Sequence, residues 1–361
     1  MSRGVLFYAS LTPALSQEEG GNPYIIMIHW SIEKKILELK YTWKISRNAS
    51  DSKTNLFVTA GDGVLEARGE AAPNIRYGES PEQVEKEFQL FLNTKPGIIS
   101  SPDELTEFLH KISVSHALRF GIESAYIHYW CKKRNISVQK FLGIEPVTSI
   151  PISYSIPIME VGRMKDFYEE NNLGRFKYIK IKVNADEMMD AVSYLSSFCG
   201  QQLIVDANEA FLNVEDCIRV LEKLKKMRIE FIEQPMPATM HEESIYLKKH
   251  SPFLLFADES VTDEADFGKL RQMFDGINVK LMKAGGYLNA LRLLKEAKTN
   301  NMKTMIGCMV ETTLAISSGL NLCSMADYAD LDSFLVVKNE PFKMAKEENG
   351  ILSYPETINR Q

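Results

Sequence analysis

The chain has 361 residues, 45% of them apolar, enough to bury one large core and still supply a smaller second module. Its 42 basic and 48 acidic residues give a net charge of −6 with no long block of one sign, which argues against nucleic acid as a partner. The five scattered cysteines (Cys131, Cys199, Cys217, Cys308 and Cys323) contain no C-x-x-C pair for zinc or redox work and suit a reducing, cytoplasmic setting, while no apolar run reaches the roughly 18–20 residues that a membrane span needs.

In chain order, Arg3 followed by the apolar run Gly4 to Leu11 is too short for a secretory leader, with Pro13 close behind. Residues 1–23, ending in the polar stretch Gln17 to Pro23, read as a disordered extension or an early start of translation. Residues 25–45 and 55–69 alternate apolar and polar positions and read as strands joined by a mobile loop, Ser46 to Thr54. Three helices follow. The first opens at Ser80-Pro81, with proline suited to the first turn; the second runs from Ser101-Pro102 to Lys111; the third, Ser115 to Trp130, is apolar over most of its surface and should be buried. Residues 24–148 thus form an α+β module.

From residue 149 short apolar strands alternate with amphipathic helices. The strands are Ile152 to Ile158, Tyr178 to Val183, Leu203 to Ala207, Phe231 to Glu233, Leu254 to Ala257, Ile277 to Leu281, Thr304 to Cys308 and Tyr328 to Asp332. Their spacing of roughly 22 to 30 residues is what a strand, a crossover helix and two loops require, and their number is that of a (β/α)8 TIM barrel over residues 149–337. Lys338 to Gln361 lies beyond the last strand and should return to the N-terminal module.

Asp206, Glu233 and Asp258 fall at the C-terminal ends of consecutive strands, 27 and 25 residues apart. A barrel brings those ends to one face, where three carboxylates repel unless a cation joins them, and oxygen-only ligands suit magnesium. Lys180 and Lys182 alternate on the preceding strand and face the barrel interior together, so desolvation and the neighbouring ammonium of Lys180 should lower the pKa of Lys182 and make it a base. Lys280 ends the strand after Asp258 and should face Lys182 across the mouth, whereas Lys283, past the strand end, reads as a surface lysine. A carbon acid beside a carboxylate is weak and needs metal charge to stabilise its anion. Two amines on opposite faces of that planar anion would invert the configuration.

These residues resemble a known pattern. Lys180-Ile181-Lys182, Asp206-Ala207-Asn208, Glu233-Gln234-Pro235, Asp258-Glu259-Ser260 and the run Asn278 to Gly286 are similar to the muconate-lactonizing subgroup of the enolase superfamily, over about residues 25 to 355. The resemblance implies an α+β capping domain over a modified barrel, one Mg2+ per subunit at Asp206, Glu233 and Asp258, Lys182 and Lys280 as the acid/base pair, and self-association into a homo-oligomer. The histidine-using racemase subgroup is disfavoured, since no histidine follows Asp258.

At the last strand, Asp330 and Asp332 resemble the D-x-D motif with which dipeptide epimerases hold the free ammonium of a dipeptide. The implied reaction is a 1,1-proton transfer at the α-carbon of the C-terminal residue. Arg47 and the run Arg76 to Ser80 fall in capping loops that in this family close over the substrate, and Arg47 could pair with an acidic side chain such as that of Ala-Glu. Ser155 is a candidate for a hydroxyl contact to substrate with Lys180 beside it, and Glu311 matches a family acid near the site. Ala-Glu and hydrophobic dipeptides both remain open. The rivals are an o-succinylbenzoate synthase or cycloisomerase on the same scaffold, which would not need the aspartate pair, and a non-catalytic metal-binding protein.

Overall fold

The computed structural model describes residues 27–46, 48–97 and 99–355; the N-terminal extension expected at 1–23 lies outside them. Three antiparallel strands, β1 (His29–Lys44), β2 (Ala49–Gly61) and β3 (Glu66–Ala71), form a sheet in the order β1-β2-β3. The connection expected over Ser46 to Thr54 is much shorter, because β2 begins at Ala49 and Lys44 pairs with Ala49, Trp43 with Ser50. Residues 49–52 are exposed, so their polar composition imitates a loop while cross-strand pairing makes them strand.

Helix α1 (Pro81–Asn93) starts where Ser80 accepts from the Gln83 amide, and α2 (Pro102–Lys111) where Ser101 accepts from the Glu104 amide. In both, proline fills the first turn, where its missing N–H leaves nothing unsatisfied. Helix α3 (His116–Arg134) runs past the expected Trp130 to a left-handed Asn135 cap. Phe120, Ile122, Ala125 and Ile127 are all fully buried, so the helix has no solvent face along its middle, as its all-round apolarity required.

After α4 (Val138–Leu142) and β4 (Ser149–Pro151) the chain enters the barrel. Its units are β5 (Ser153–Ile156), α5 (Met164–Glu170), β6 (Tyr178–Lys182), α6 (Met188–Phe198), β7 (Gln202–Asp206), α7 (Val214–Leu224), β8 (Ile229–Glu233), α8 (His241–His250), β9 (Leu254–Ala257) and α9 (Phe267–Met273). Then come β10 (Gly276–Lys280), α10 (Leu281–Ala284), α11 (Tyr287–Thr299), β11 (Lys303–Gly307), α12 (Thr313–Asn321) and β12 (Tyr328–Asp330). The eight strands lie in sequence order, each parallel to the next. Among the described residues no backbone ladder joins β12 to β5. Side chains span that seam instead: Ser153 Oγ donates to Asp330 at 2.8 Å and the Ser155 amide to Asp332 at 2.5 Å.

The C-terminal segment serves both modules. Val337 bridges Leu39, the Lys338 amide donates to the Glu38 carbonyl and the Phe342 ring meets Phe57, all on the N-terminal sheet. Farther on, β13 (Lys346–Glu348) and β14 (Ile351–Ser353) make a separate antiparallel sheet with β4.

Two buried glutamates of the N-terminal module cap barrel helices. Glu70 on β3 accepts from the Thr312 and Ala315 amides at the start of α12, and Glu123 on α3 accepts from the Tyr287 amide at the start of α11. Each carboxyl group meets N–H groups that the first turn of a helix leaves unsatisfied. No helix among the described residues is long and apolar enough to cross a membrane.

Candidate active site

Strand register gathers the acids. Lys182 pairs with Asp206 and Asp206 with Glu233 at the ends of β6, β7 and β8; Glu233 pairs with Phe256 on β9, two residues before Asp258. All three carboxylates are buried, and so are Lys180, Lys182 and Lys280. Lys182 and Lys280 stand on β6 and β10, four places apart in an eight-stranded order and therefore on opposite sides of the mouth, with β7, β8 and β9 between them. Lys182 Nζ is 2.7 Å from Asp206 Oδ2, and Lys280 Nζ is 2.8 Å from Asp258 Oδ2.

Two lysines differ from the sequence expectation. The Lys180 ammonium is itself matched by acids, lying 3.1 Å from Asp206, 2.8 Å from Glu233 and 2.7 Å from Asp330. Burial works against its charge, but these carboxylates outweigh it and hold the group well above the ordinary range. With three acid neighbours and 1% exposure, Lys180 neutralises the interior. Lys283, expected at the surface, is buried because the chain turns inward directly after β10 into α10; its Nζ is 2.5 Å from both Asp258 Oδ1 and the Asp258 carbonyl.

The charges follow from these contacts. Burial would raise Asp206 and Asp258, yet Lys180 and Lys182 hold the first, and Lys280 and Lys283 the second, below the usual carboxylate range. Glu233 is pushed up to about 7, by burial first and then by Asp206 and Asp258. Burial also opposes the charge of Lys280, but Asp258 overrides it and raises the group, whereas for Lys283 burial wins and lowers it.

The donor set fits a magnesium ion. It is anionic, oxygen-only and drawn from three adjacent strands, and Glu233 Oε2 is buried without a hydrogen bond although Lys180 stands 2.8 Å away. Among the described residues the acids do not converge on one point as a set of three, and an ammonium group lies against each of them.

Other residues hold this arrangement; the motifs quoted from the sequence contain them, but without a role of their own. Asn278, two residues before Lys280 on the same face of β10, donates to Glu233 Oε1 at 2.8 Å; the period of two was a readable signal. Gln234 has a left-handed backbone (φ 36°), and its Oε1 accepts from the Asp258 and Ser260 amides, fixing the turn after β9. Asn208 accepts from Lys182 at 3.3 Å and donates to Glu259 at 3.2 Å. Tyr77, from the loop before α1, is held above its ordinary value by burial first and then by the charge of Asp258.

Across the mouth, Asp330 and Asp332 have different surroundings. Asp330 is engaged by Lys180 on one oxygen and by the Ser153 and Ser155 hydroxyls on the other, at 2.8 and 3.3 Å. Lys180 keeps it below the ordinary range despite burial. Asp332 takes the Ser155 amide and is pushed up to about 7 by burial and by Asp330. The Ser155 hydroxyl therefore serves Asp330. Glu311, pushed up to about 8 by burial, accepts from the Met309 amide within its own turn. Arg47 lies outside the described residues, whereas Arg76 forks onto Glu209 of the β7–α7 turn. An open cleft of about 390 Å³ lies there, between Ser46, Arg76, Asn208, Glu209, Leu212 and Pro237.

The chain is similar in sequence and in fold to known dipeptide epimerases. The family model described as enolase C-terminal domain-like matches residues 163–348. An L-Ala-D/L-amino acid epimerase from Pedosphaera parvula is 31% identical over 333 residues, spanning 88% of this chain and 93% of the relative. A solved enolase family member from Agrobacterium tumefaciens with homology to dipeptide epimerases, bound to sodium and L-Ala-L-Glu, superposes with a TM-score of 0.83 at 25% identity, over 91% of this chain and 98% of that one. The dipeptide epimerase of Enterococcus faecalis, solved with Mg and L-Leu-L-Tyr, gives 0.82 at 25% identity over 91% and 97%.

Proposed function

Because the chain belongs to the enolase C-terminal domain-like family, we propose that it is a Mg2+-dependent dipeptide epimerase that transfers a proton at the α-carbon of the C-terminal residue. One observation carries the reading: Lys182 and Lys280 stand four strands apart across the mouth, with the three carboxylates on the strands between them. Asp206, Glu233 and Asp258 would hold the ion, which supplies positive charge against the second negative charge that deprotonation puts on the substrate. Lys182 Nζ removes the α-proton from one epimer and Lys280 Nζ from the other; whichever amine lies opposite returns a proton to the far face of the planar carbon, inverting it. Burial in the mouth excludes water that would otherwise compete for these transfers.

Asp332 would receive the free ammonium of the dipeptide, a role supported by Asp330 being already matched by Lys180. That charge is absent from lactone and cyclohexadiene acid substrates, which supports an epimerase over a lyase. We place the reaction in the cytoplasm, on dipeptides released from cell-wall or protein turnover, in keeping with five cysteines that are all unpaired.

The test is incubation of the Mg2+-loaded enzyme with dipeptide libraries in D2O, read by mass spectrometry. One deuterium is expected at the C-terminal α-carbon, with scrambling of configuration, and chelation should abolish both. Turnover of a cyclohexadiene acid without labelling of any dipeptide would instead identify a lyase.

A further inference from the structure

Both loops that reach over the mouth from the N-terminal module attach to one short turn of the barrel. Beyond the end of β7, Asn208 and Glu209 carry φ values of 42° and 67°, left-handed conformations that are uncommon for a glutamate although asparagine adopts them more readily. Ser46, at the β1–β2 connection, donates its hydroxyl to the Asn208 carbonyl at 3.0 Å. Arg76 engages Glu209 through two parallel contacts, Nε to Oε2 at 2.9 Å and Nη2 to Oε1 at 2.8 Å.

Both ends of that ion pair are built in advance. The Arg76 amide donates to Asn74 Oδ1, and Glu79 accepts from the Asn74 and Ala117 amides, so the loop that carries the guanidinium is tied to α3. Glu209 Oε1 also accepts from the Ala238 amide at 2.9 Å in the loop after β8. A fork–fork pair with both partners so held loses little freedom on forming, unlike an ordinary surface salt bridge. On its inner side the same turn touches chemistry: Asn208 Oδ1 accepts from Lys182 Nζ at 3.3 Å, while its amide group donates to Glu259.

We propose that the Arg76–Glu209 pair is a latch that positions Lys182: closing it sets the β7–α7 turn, and through Asn208 the turn aims the ammonium at the α-carbon. Arg76 and Glu209 are positioning residues that act through Asn208. Lys280, on β10, takes its contact from Asp258, whereas Asn208 accepts from Lys182, so Lys280 feels the turn less directly. The latch therefore acts on one face of the substrate more than on the other.

The proposal rests on the epimerase reading, and its test separates the two. Each epimer of a dipeptide that the wild-type enzyme labels is incubated in D2O, and initial α-deuteration of the recovered starting epimer is measured. Lys182→Ala and Lys280→Ala identify which lysine serves which epimer, because each variant loses labelling of its own. In Glu209→Gln and Arg76→Met, labelling of the Lys182 epimer should fall about 10-fold or more while that of the Lys280 epimer changes by less than about 3-fold, the usual consequence of misaligning one proton-transfer group. Mg2+ affinity by calorimetry should stay at the wild-type value, and the exchanged pair Arg76→Glu with Glu209→Arg should recover part of the lost rate. Equal losses for both epimers, or no loss, would overturn the latch alone. A wild-type enzyme that labels no dipeptide would overturn the epimerase reading and this proposal with it.

Discussion

A lysine is costly to bury unless its charge is matched, and the mouth of this barrel buries Lys180, Lys182, Lys280 and Lys283 together. Asp258 accepts from both Lys280 and Lys283, and Lys283 also reaches the Asn278 carbonyl. Nothing local in Lys280-Leu281-Met282-Lys283 announces that a one-turn helix folds inward there, so from sequence alone Lys283 reads as a surface residue. Lys283→Met should nevertheless behave as a core change. Removing one partner of a buried pair typically costs about 3–5 kcal/mol, and urea unfolding of the variant should show a loss of that order, together with a rate lowered by about 100-fold or more from displacement of Asp258. A stability within about 0.5 kcal/mol of wild type would return Lys283 to the surface. Asp332→Asn tests the other side of the mouth. With the ammonium partner neutralised, KM for free-amine dipeptides should rise about 10-fold or more with a smaller change in kcat, as expected when a charged hydrogen bond to the ground state is lost. An unchanged KM would remove Asp332 from the substrate.

Regular features of the elements were legible. The apolar runs, their spacing and the acids at their ends follow from the period of a βα unit, and the proline-led helix starts from capping chemistry. What the sequence withheld depends on partners distant in the chain. The polar half of β2 is strand because β1 pairs with it, the β12–β5 seam is carried by Ser153, Ser155 and the two aspartates, and the left-handed turns at Asn208 and Gln234 belong to loops whose conformation no local period encodes. Gly307 illustrates the coupling. It ends β11 beside Asn278, and a β-carbon at this position would collide with the Asn278 amide that donates to Glu233. Gly307→Ala should then leave the fold intact by circular dichroism yet weaken Mg2+ binding measured by calorimetry about 10-fold, in the range found when an outer partner of a metal ligand is disturbed. Wild-type affinity in that variant would show that Asn278 does not steady Glu233.

Across the whole molecule, the two modules meet through buried carboxyl groups, and this makes stability depend on pH. Glu123 is pushed up to about 7 by burial, against an ordinary value of 4.5, although the Tyr287 amide pulls the other way. The folded chain therefore holds this proton where the unfolded chain has released it. The resulting stabilisation is complete below about pH 4.5 and is lost as pH rises toward 7. Relative to Glu123→Gln, the wild type should lose about 3 kcal/mol of unfolding free energy between pH 4.5 and 7.5, since every tenfold difference in proton affinity between folded and unfolded chains corresponds to about 1.4 kcal/mol. Parallel curves for the two proteins would contradict the raised value. Gly286, at φ 148°, has the Glu123 carboxylate where a β-carbon would stand, so even alanine there should push the two modules apart.

Glu70 and Glu123 fasten the upper module like two bolts at the starts of two different helices, and the Leu39–Val337 bridge pins it at a third point, which leaves a rigid body no axis on which to swing. Traffic of small molecules in and out must then rely on the fingertips of that module while its palm stays fixed. Grafting a whole upper module from a relative onto this barrel would have to carry both bolts and their sockets, whereas exchanging only the fingertips could retune what the enzyme accepts and leave the joint undisturbed.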